Sequence, residues 1–163
     1  MKSTLKTILV LLTIFMNASC EDENPLLGEW KLSSWHIDIE MDLDNDTIKS
    51  SNLLDEASCE NKEMLTIFKN GTINAINTYN PTVKISKNGD KYVFDVECNK
   101  GSIGFATNFK VLDDKVIIEP NGEEYHFSGK QLTRVFEDAI NIYNIDFTEV
   151  IETKDLVLSY IKE

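Results

Sequence analysis

Residues 64–79, MLTIFKNGTINAINTY, place the pair Asn70-Gly71 between two short apolar runs. Asn-Gly is the strongest short-range signal for a β-hairpin, because both residues tolerate the positive φ angles of a tight turn. The same arrangement recurs at Asn88-Gly89 and Asn121-Gly122, and Asp113-Asp114 separates two further apolar runs. Consecutive signals of this kind predict a meander of antiparallel strands.

Within these runs, apolar and polar side chains alternate, as they do in strands with one buried face. Tyr92, Phe94 and Val96, for example, alternate with Asp95 and Glu97. We expect about eight or nine strands, at residues 28–39, 64–69, 72–79, 82–87, 91–98, 103–111, 114–119, 123–128 and 155–161. Closing a meander into a barrel removes its exposed edges. The sequence therefore predicts an all-β domain, an up-and-down antiparallel β-barrel.

Residues 132–143 fit two interpretations. Leu132, Val135, Phe136 and Ala139 recur at helical spacing, yet the same stretch contains the strand-like run LTRVF. We expect a strand over 131–136 followed by irregular chain, with a helix over 132–143 as the alternative.

The N-terminus has the form of a secretory signal peptide. Lys2 and Lys6 precede a mainly apolar stretch of nine residues, Ile8 to Met16. The stretch is too short to span a membrane, which takes roughly twenty residues. Ala18-Ser19-Cys20 then resembles the lipobox of bacterial lipoproteins, apart from Asn17 where that family has an aliphatic residue. The resemblance implies cleavage after residue 19 and a lipid on Cys20; the alternative is an ordinary signal cut near Ala18.

Residues 20–26 are expected to form a lipidated acidic tether, and residues 27–163 a single domain. The run Glu21-Asp22-Glu23-Asn24 offers no apolar side chain to a core. It also resembles the export signal that sends Bacteroidetes-type lipoproteins to the cell surface. We therefore expect a protein anchored in the outer membrane by its lipid, facing either the periplasm or the cell surface.

Net charge excludes one class of partner. The formal charge of −12 becomes about −14 once a signal peptide with two lysines and no acid is removed. Such a chain repels phosphate backbones, so nucleic-acid binding is not expected. We expect a monomer whose contact with the membrane is made by the lipid.

Three cysteines are present, Cys20, Cys59 and Cys98. If Cys20 carries the lipid, the other two are left as a pair, and an exported protein with an even number of cysteines favours a disulfide. Two buried thiols are the alternative. A bridge closing so long a loop would stabilise the fold by roughly 3–4 kcal/mol.

Two stretches resemble bacterial lipocalin-like domains, of the type found in Bacteroidetes lipoproteins. Residues 27–32, LGEWKL, match their opening strand, and residues 59–73, CENKEMLTIFKNGTI, match a second signature. The resemblance implies a calycin-type barrel. A barrel of eight strands is either filled by side chains or holds one small ligand. The candidate interior, ligand-binding side chains are Trp30, Phe68, Tyr92, Phe94, Phe105 and Phe109.

No motif organises a catalytic site. His36 and His126 both lie in strand-like runs, and no serine-hydrolase elbow, zinc-protease helix or phosphate-binding loop is present. We expect no enzyme, no catalytic residues and no cofactor; a hydrolase built on two carboxylates is the exception that sequence leaves open.

One acidic loop is a candidate calcium site. Asp42, Asp44 and Asp46 alternate as at the start of an EF-hand, but Thr47 stands where that loop needs glycine. Asp46-Thr47-Ile48 also resembles a Bacteroidetes O-glycosylation acceptor, with Thr47 as the modified residue.

Two functions follow from these expectations. The first is a lipid-tethered barrel that binds a small apolar ligand or an envelope or surface partner. The second is a structural or interaction lipoprotein with a filled core and no small ligand.

Overall fold

The computed structural model describes residues 24–119 and 121–163. The predicted signal peptide, Cys20 and the acidic residues 21–23 lie outside this range. The described residues form eleven strands and one short helix: β1 (Gly28–Met41), β2 (Ser50–Asn52), α1 (Leu53–Glu56), β3 (Met64–Ile67), β4 (Thr72–Ile76), β5 (Thr82–Asn88), β6 (Lys91–Glu97), β7 (Phe105–Leu112), β8 (Lys115–Ile118), β9 (Glu124–Ser128), β10 (Gln131–Asn144) and β11 (Val150–Lys162).

Eight of these strands form a closed antiparallel barrel in the order β1-β3-β4-β7-β8-β9-β10-β11. β11 pairs with β10 on one side and with β1 on the other, and this double pairing closes the ring. The prediction of an all-β barrel is confirmed.

The hairpin β5–β6 was expected to belong to the meander, but it lies outside the ring. β5 pairs in parallel with the end of β10, at Ile142 to Asn144, and β6 pairs with β5. The chain thus leaves the barrel after β4 and returns to it at β7. The short β2, which pairs with β1, and helix α1 were not anticipated.

Residues 132–143 belong to a single strand. The expected strand over 131–136 is present, whereas the irregular chain expected after it and the alternative helix are both wrong. β10 continues to Asn144 and pairs with β11 along most of its length, with a register shift between Phe136 and Ile140, where Asp138 has a φ of 50°. Apolar residues lie on both faces of this strand, with Val135 exposed outside and Leu132 buried inside. Taken together, the apolar residues of the two faces recur at the spacing expected of a helix.

The barrel core is filled by large side chains. Trp30 is fully buried, donates from Nε1 to the Leu26 carbonyl at 2.9 Å, and meets Phe127 edge-on with 5.8 Å between ring centroids. Gly28 starts β1 with a φ of 118°, which glycine adopts without strain. The other fully buried large side chains include Leu32, Leu65, Ile73, Tyr125, Leu132 and Tyr160.

Gly104 lies where the chain rejoins the barrel, directly before β7. A Cβ at this position would collide with the backbone carbonyl oxygen of Ala75 on β4. Phe105 and Ala75 form the first pair of the β4–β7 ladder, so the close approach is part of ring closure.

We expect Gly104→Ala to lower the free energy of unfolding by about 1–3 kcal/mol, because backbone atoms must move to relieve the collision. Urea unfolding followed by tryptophan fluorescence measures the change. Gly89→Asn is the matched control: nothing lies within 4 Å of a Cβ there, and Asn tolerates the φ of 61°. Equal stability of Gly104→Ala and the wild type would contradict this packing.

Candidate functional site

Three barrel strands are longer than the ring requires. β3 pairs only with Gly28–Lys31 of β1, and β9 only with Gln131–Thr133 of β10. The remaining parts of β1, β10 and β11 extend beyond the ring. We call these extensions, together with β2, α1, β5 and β6, the upper tier.

The inner face of the upper tier is apolar in the middle and charged at its rim. Ile85 and Ile142 are fully buried opposite each other across the β5–β10 pair. The carboxylate of Glu152 on β11 forms ion pairs with the Lys87 ammonium at 3.2 Å and the Lys154 ammonium at 3.1 Å. The hydroxyl of Tyr92 donates to the same carboxylate at 3.2 Å. These bonds, led by the one from Lys154, lower the pKa of Glu152. The bonds from Lys87 and Tyr92 also attach the β5–β6 hairpin to β11.

A disulfide makes the second attachment of this hairpin. Cys59, after α1, is bonded to Cys98, after β6, with 5.2 Å between their Cα atoms. The predicted pairing is confirmed. The bridge joins the segment that follows β1 to the free end of the β5–β6 hairpin.

An open cleft of about 610 Å³ lies between these two joined segments. We call it the acidic cleft. Its first wall is the segment from Leu43 to Cys59, its second wall is β6, and the disulfide lies where the walls meet. The lining side chains are Leu43, Asp44, Asp55, Glu56, Ala57, Ser58, Cys59, Phe94, Asp95, Val96 and Cys98.

Four of these lining residues are acidic and none is basic: Asp44, Asp55, Glu56 and Asp95. A cleft lined by one sign of charge concentrates the field and attracts ions of the opposite sign. The acidic cleft therefore favours a cation or a positively charged group of a larger ligand.

The first wall brings together part of the predicted calcium loop. Oxygens of Asp42, Asp44 and Glu56 lie within 4.8 Å of one another. The buried Glu56 accepts the Leu43 amide at 2.9 Å, which fixes its carboxylate beside the loop. Asp46, the third predicted ligand, is absent from this group and accepts the Ile48 amide at 2.7 Å instead. Calcium takes six to eight oxygens, so three carboxylates alone would supply only part of a coordination shell.

A second cleft, of about 460 Å³, lies on the other side of the disulfide. Its lining is mixed in charge, with Glu60, Lys62 and Lys100 beside several asparagines. Asn99 is already engaged, since its side-chain amide donates to the Asn80 carbonyl at 2.6 Å. This surface lacks the single sign of charge that characterises the acidic cleft.

The barrel interior contains a polar cluster that the sequence did not reveal. The buried carboxylate of Glu63 accepts the Tyr160 hydroxyl at 2.7 Å and the Tyr79 amide at 2.8 Å. Burial raises the pKa of Glu63, and these two hydrogen bonds and the Arg134 charge offset part of that effect. Burial also raises the pKa of Tyr160 and of Tyr125.

Arg134 completes this cluster. Its guanidinium lies 2.6 Å from Glu123 and 3.9 Å above the Phe136 ring centroid. The charged group is thereby paired and stacked, as a largely buried arginine requires. The Glu63 carboxylate, the Tyr160 hydroxyl and the Arg134 guanidinium are each hydrogen-bonded or paired, and their side chains add to the filling of the barrel.

The six aromatic residues expected to line the interior do not surround a common cavity. Trp30 is part of the packed core, and Phe109 is partly buried against it. Tyr92 and Phe94 belong to β6, outside the ring, although both pack against the core. The interior placement of Phe68 and Phe105 is wrong: they are 43% and 37% exposed. Phe68 follows β3, where the chain already turns, and Phe105 begins β7 at the barrel rim.

The two histidines lie apart. Nδ1 of His36 is 3.1 Å from the Ser51 hydroxyl, across the β1–β2 pair, and His126 is exposed on β9. Within the described part of the chain, no carboxylate forms a hydrogen bond to either ring. The Ser51–His36 contact therefore lacks the orienting acid of a hydrolytic triad.

Comparisons with known proteins do not assign the chain: no family model, no curated protein and no solved structure matches it. Within residues 24–119 and 121–163, no helix has the length and apolar character needed to cross a membrane.

We expect loss of the disulfide to lower the free energy of unfolding by about 4 kcal/mol, because Cys59 and Cys98 are 39 residues apart and the bridge restricts that loop in the unfolded chain. Urea unfolding of the C59A/C98A variant measures the effect. Dithiothreitol should destabilise the wild type similarly and leave the variant unchanged. A loss below about 1 kcal/mol would contradict a stabilising bridge.

The pH dependence of Glu63→Gln tests the buried carboxyl. Burial raises the folded-state pKa of Glu63. The stability that the protonated Glu63 carboxyl contributes is therefore lost as the pH rises from the pKa of the unfolded state through that of the folded state. The glutamine side chain of the variant cannot ionise, so we expect the variant to gain stability relative to the wild type between about pH 4 and about pH 8. Urea unfolding at both pH values gives the difference. A relative stability that falls with pH would contradict the raised pKa.

Proposed function

We propose that this chain is an envelope-tethered binding module with a filled barrel, which holds a partner at the acidic cleft. The observation that carries this proposal is the contrast between the packed interior of the ring and the open, uniformly charged cleft beside it. The partner is a molecule of the envelope or cell surface that presents positive charge.

The packing of the barrel favours a partner-binding module over a carrier of small apolar ligands. An eight-stranded ring has room for its own side chains or for one small ligand. Here Trp30, Tyr125 and Tyr160 occupy that space, and the interior polar groups of Glu63 and Arg134 hydrogen-bond within it. An apolar ligand would have to displace these side chains.

The arrangement of the two ends of the molecule supports tethering. The described chain approaches the barrel at Pro25, whose carbonyl accepts the Lys162 ammonium at 2.6 Å, and β1 starts beside it. The fourteen residues of β1 span about 45 Å and lead to the acidic cleft at Leu43. A lipid on Cys20 would therefore anchor one end of the molecule and leave the cleft at the other.

The proposed location and lipid anchor are those expected from the N-terminal sequence. Signal cleavage before Cys20 would place the mature protein in the outer membrane, facing the periplasm or the cell surface, and multiple acyl chains would hold it durably. The module has no catalytic role and acts as a monomer. Intact mass of the mature protein tests the lipid on Cys20.

Site-specific photo-cross-linking in the host cell tests the binding site. A photoreactive residue replaces Ser58 or Asp44 in the acidic cleft, and Lys110 on the outside of β7 is the control position. We expect the same adduct from both cleft positions and none from Lys110. The adduct from Ser58 should decrease in an Asp44→Asn/Asp55→Asn background, because the cleft then loses two of its four charges.

Two results would contradict the proposal. One is an equal yield of adducts from Lys110 and from the cleft positions. The other is the absence of adducts from both cleft positions. An apolar molecule that native mass spectrometry then finds bound to the purified protein would support the small-ligand alternative.

A further inference from the structure

The second wall of the acidic cleft is an open strand edge. β6 pairs with β5 alone, and among the described residues no other strand adjoins it. The turn between the two strands has two residues, Gly89 and Asp90, and closes on the pair Asn88–Lys91. In such a hairpin alternate residues bond to the neighbouring strand. The backbone N–H and C=O groups of Tyr92, Phe94 and Val96 therefore point away from β5, toward the free edge.

This edge has neither a bulge nor a proline to discourage further pairing, although it carries the charged side chains Lys91, Asp95 and Glu97. Natural edge strands use all three devices. β6 has an uninterrupted register with β5 from Glu97 to Lys91 and contains no proline. Phe94 and Val96, two of its three outward-facing backbone positions, line the acidic cleft. The open edge and the cleft are thus the same place.

The opposite wall specifies the charge of an occupant. Asp44, Asp55 and Glu56 line it, and Asp95 adds a fourth acid on β6 itself. An extended peptide that adds to the edge of a sheet gains affinity from main-chain hydrogen bonds and specificity from alternate side chains. In this cleft such a peptide would have apolar neighbours at Phe94 and Val96 and carboxylates around it.

We propose that the acidic cleft binds an extended, lysine- or arginine-bearing peptide segment, which adds to β6 as a further antiparallel or parallel strand. The inference rests on the proposed function and names the chemistry of its partner. Alternation of apolar and basic residues in the segment suits both the Phe94–Val96 surface and the surrounding acids.

A second copy of this chain fits the same edge less well. Pairing of two β6 strands would bring two acidic clefts together, and each chain carries a net charge of −12. Like charges placed opposite one another oppose association. A basic segment neutralises the cleft instead.

Peptide binding to the mature lipoprotein in detergent micelles tests the inference. The probes are fluorescently labelled Lys-Val-Lys-Val-Lys-Val-Lys, the same peptide with Glu in place of Lys, and a Lys-Val peptide with every backbone nitrogen methylated. We expect the first to bind and the other two to bind at least about tenfold more weakly, because one lacks the charge and the other the N–H donors. Fluorescence anisotropy gives the three dissociation constants.

Variants separate the two walls. Asp44→Asn/Asp55→Asn should weaken binding of the Lys-Val peptide about tenfold, roughly threefold for each charge. Glu137→Gln/Glu149→Gln removes two exposed acids elsewhere and should change it less than about twofold. Val96→Pro removes one edge N–H without touching the ladder to β5, and should weaken binding of the Lys-Val peptide but not of its methylated form.

Equal binding of the methylated and unmethylated peptides would overturn strand addition. Dimers in sedimentation velocity that Val96→Pro abolishes would overturn it in favour of a second copy. If the Lys-Val peptide fails to bind while Ser58 still gives a specific adduct in cells, this inference fails and the proposed function stands. If the adduct is lost as well, both fail.

Discussion

The ring closes because β11 forms hydrogen-bonded ladders with two strands at once. Its residues from Leu156 onward pair with β1 on one side and with β10 on the other. A strand within a closed ring has no free edge, so the eight strands can bury their inner side chains without exposing unpaired backbone. The fully buried Trp30, Leu132 and Tyr160 depend on that closure.

The upper tier is built on the three strands of this double pairing, β1, β10 and β11. β1 and β10 have fourteen residues and β11 has thirteen, whereas β3 and β8 have four each. The excess length extends past the ring and presents an apolar inner face that must be covered. The β5–β6 hairpin covers it from the side of β10, and α1 from the side of β1. The disulfide joins these two covers at one point, and the acidic cleft is the gap that remains between them.

Local chemistry in the sequence predicted the strands better than their partners. The Asn-Gly pairs at 70–71, 88–89 and 121–122 marked three turns correctly, because turn geometry is a property of adjacent residues. The pairing of Cys59 with Cys98 was predicted because assigning Cys20 to the lipid leaves these two cysteines as a pair. The parallel contact of β5 with β10 was not predictable, since it joins residues far apart in the chain and no alternation pattern records it. The sequence predicted the loop acids Asp42 and Asp44 as candidate site residues. Glu56 and Asp95 come close to this loop only in the folded upper tier, so the sequence did not predict them as part of the site.

We propose that the closed, filled barrel is a scaffold and that the open binding surface of the protein is the edge of β6. Hydrogen exchange resolved to single amides tests this most directly, because exchange reports which backbone groups are hydrogen-bonded in the native protein. The amides of Tyr92, Phe94 and Val96 should exchange rapidly, while those of Val93 and Asp95 are slower and those of Leu65, Ile73 and Leu132 are slowest. Slow exchange at Tyr92, Phe94 and Val96 in the isolated protein would mean that the edge is already covered, and would contradict the claim.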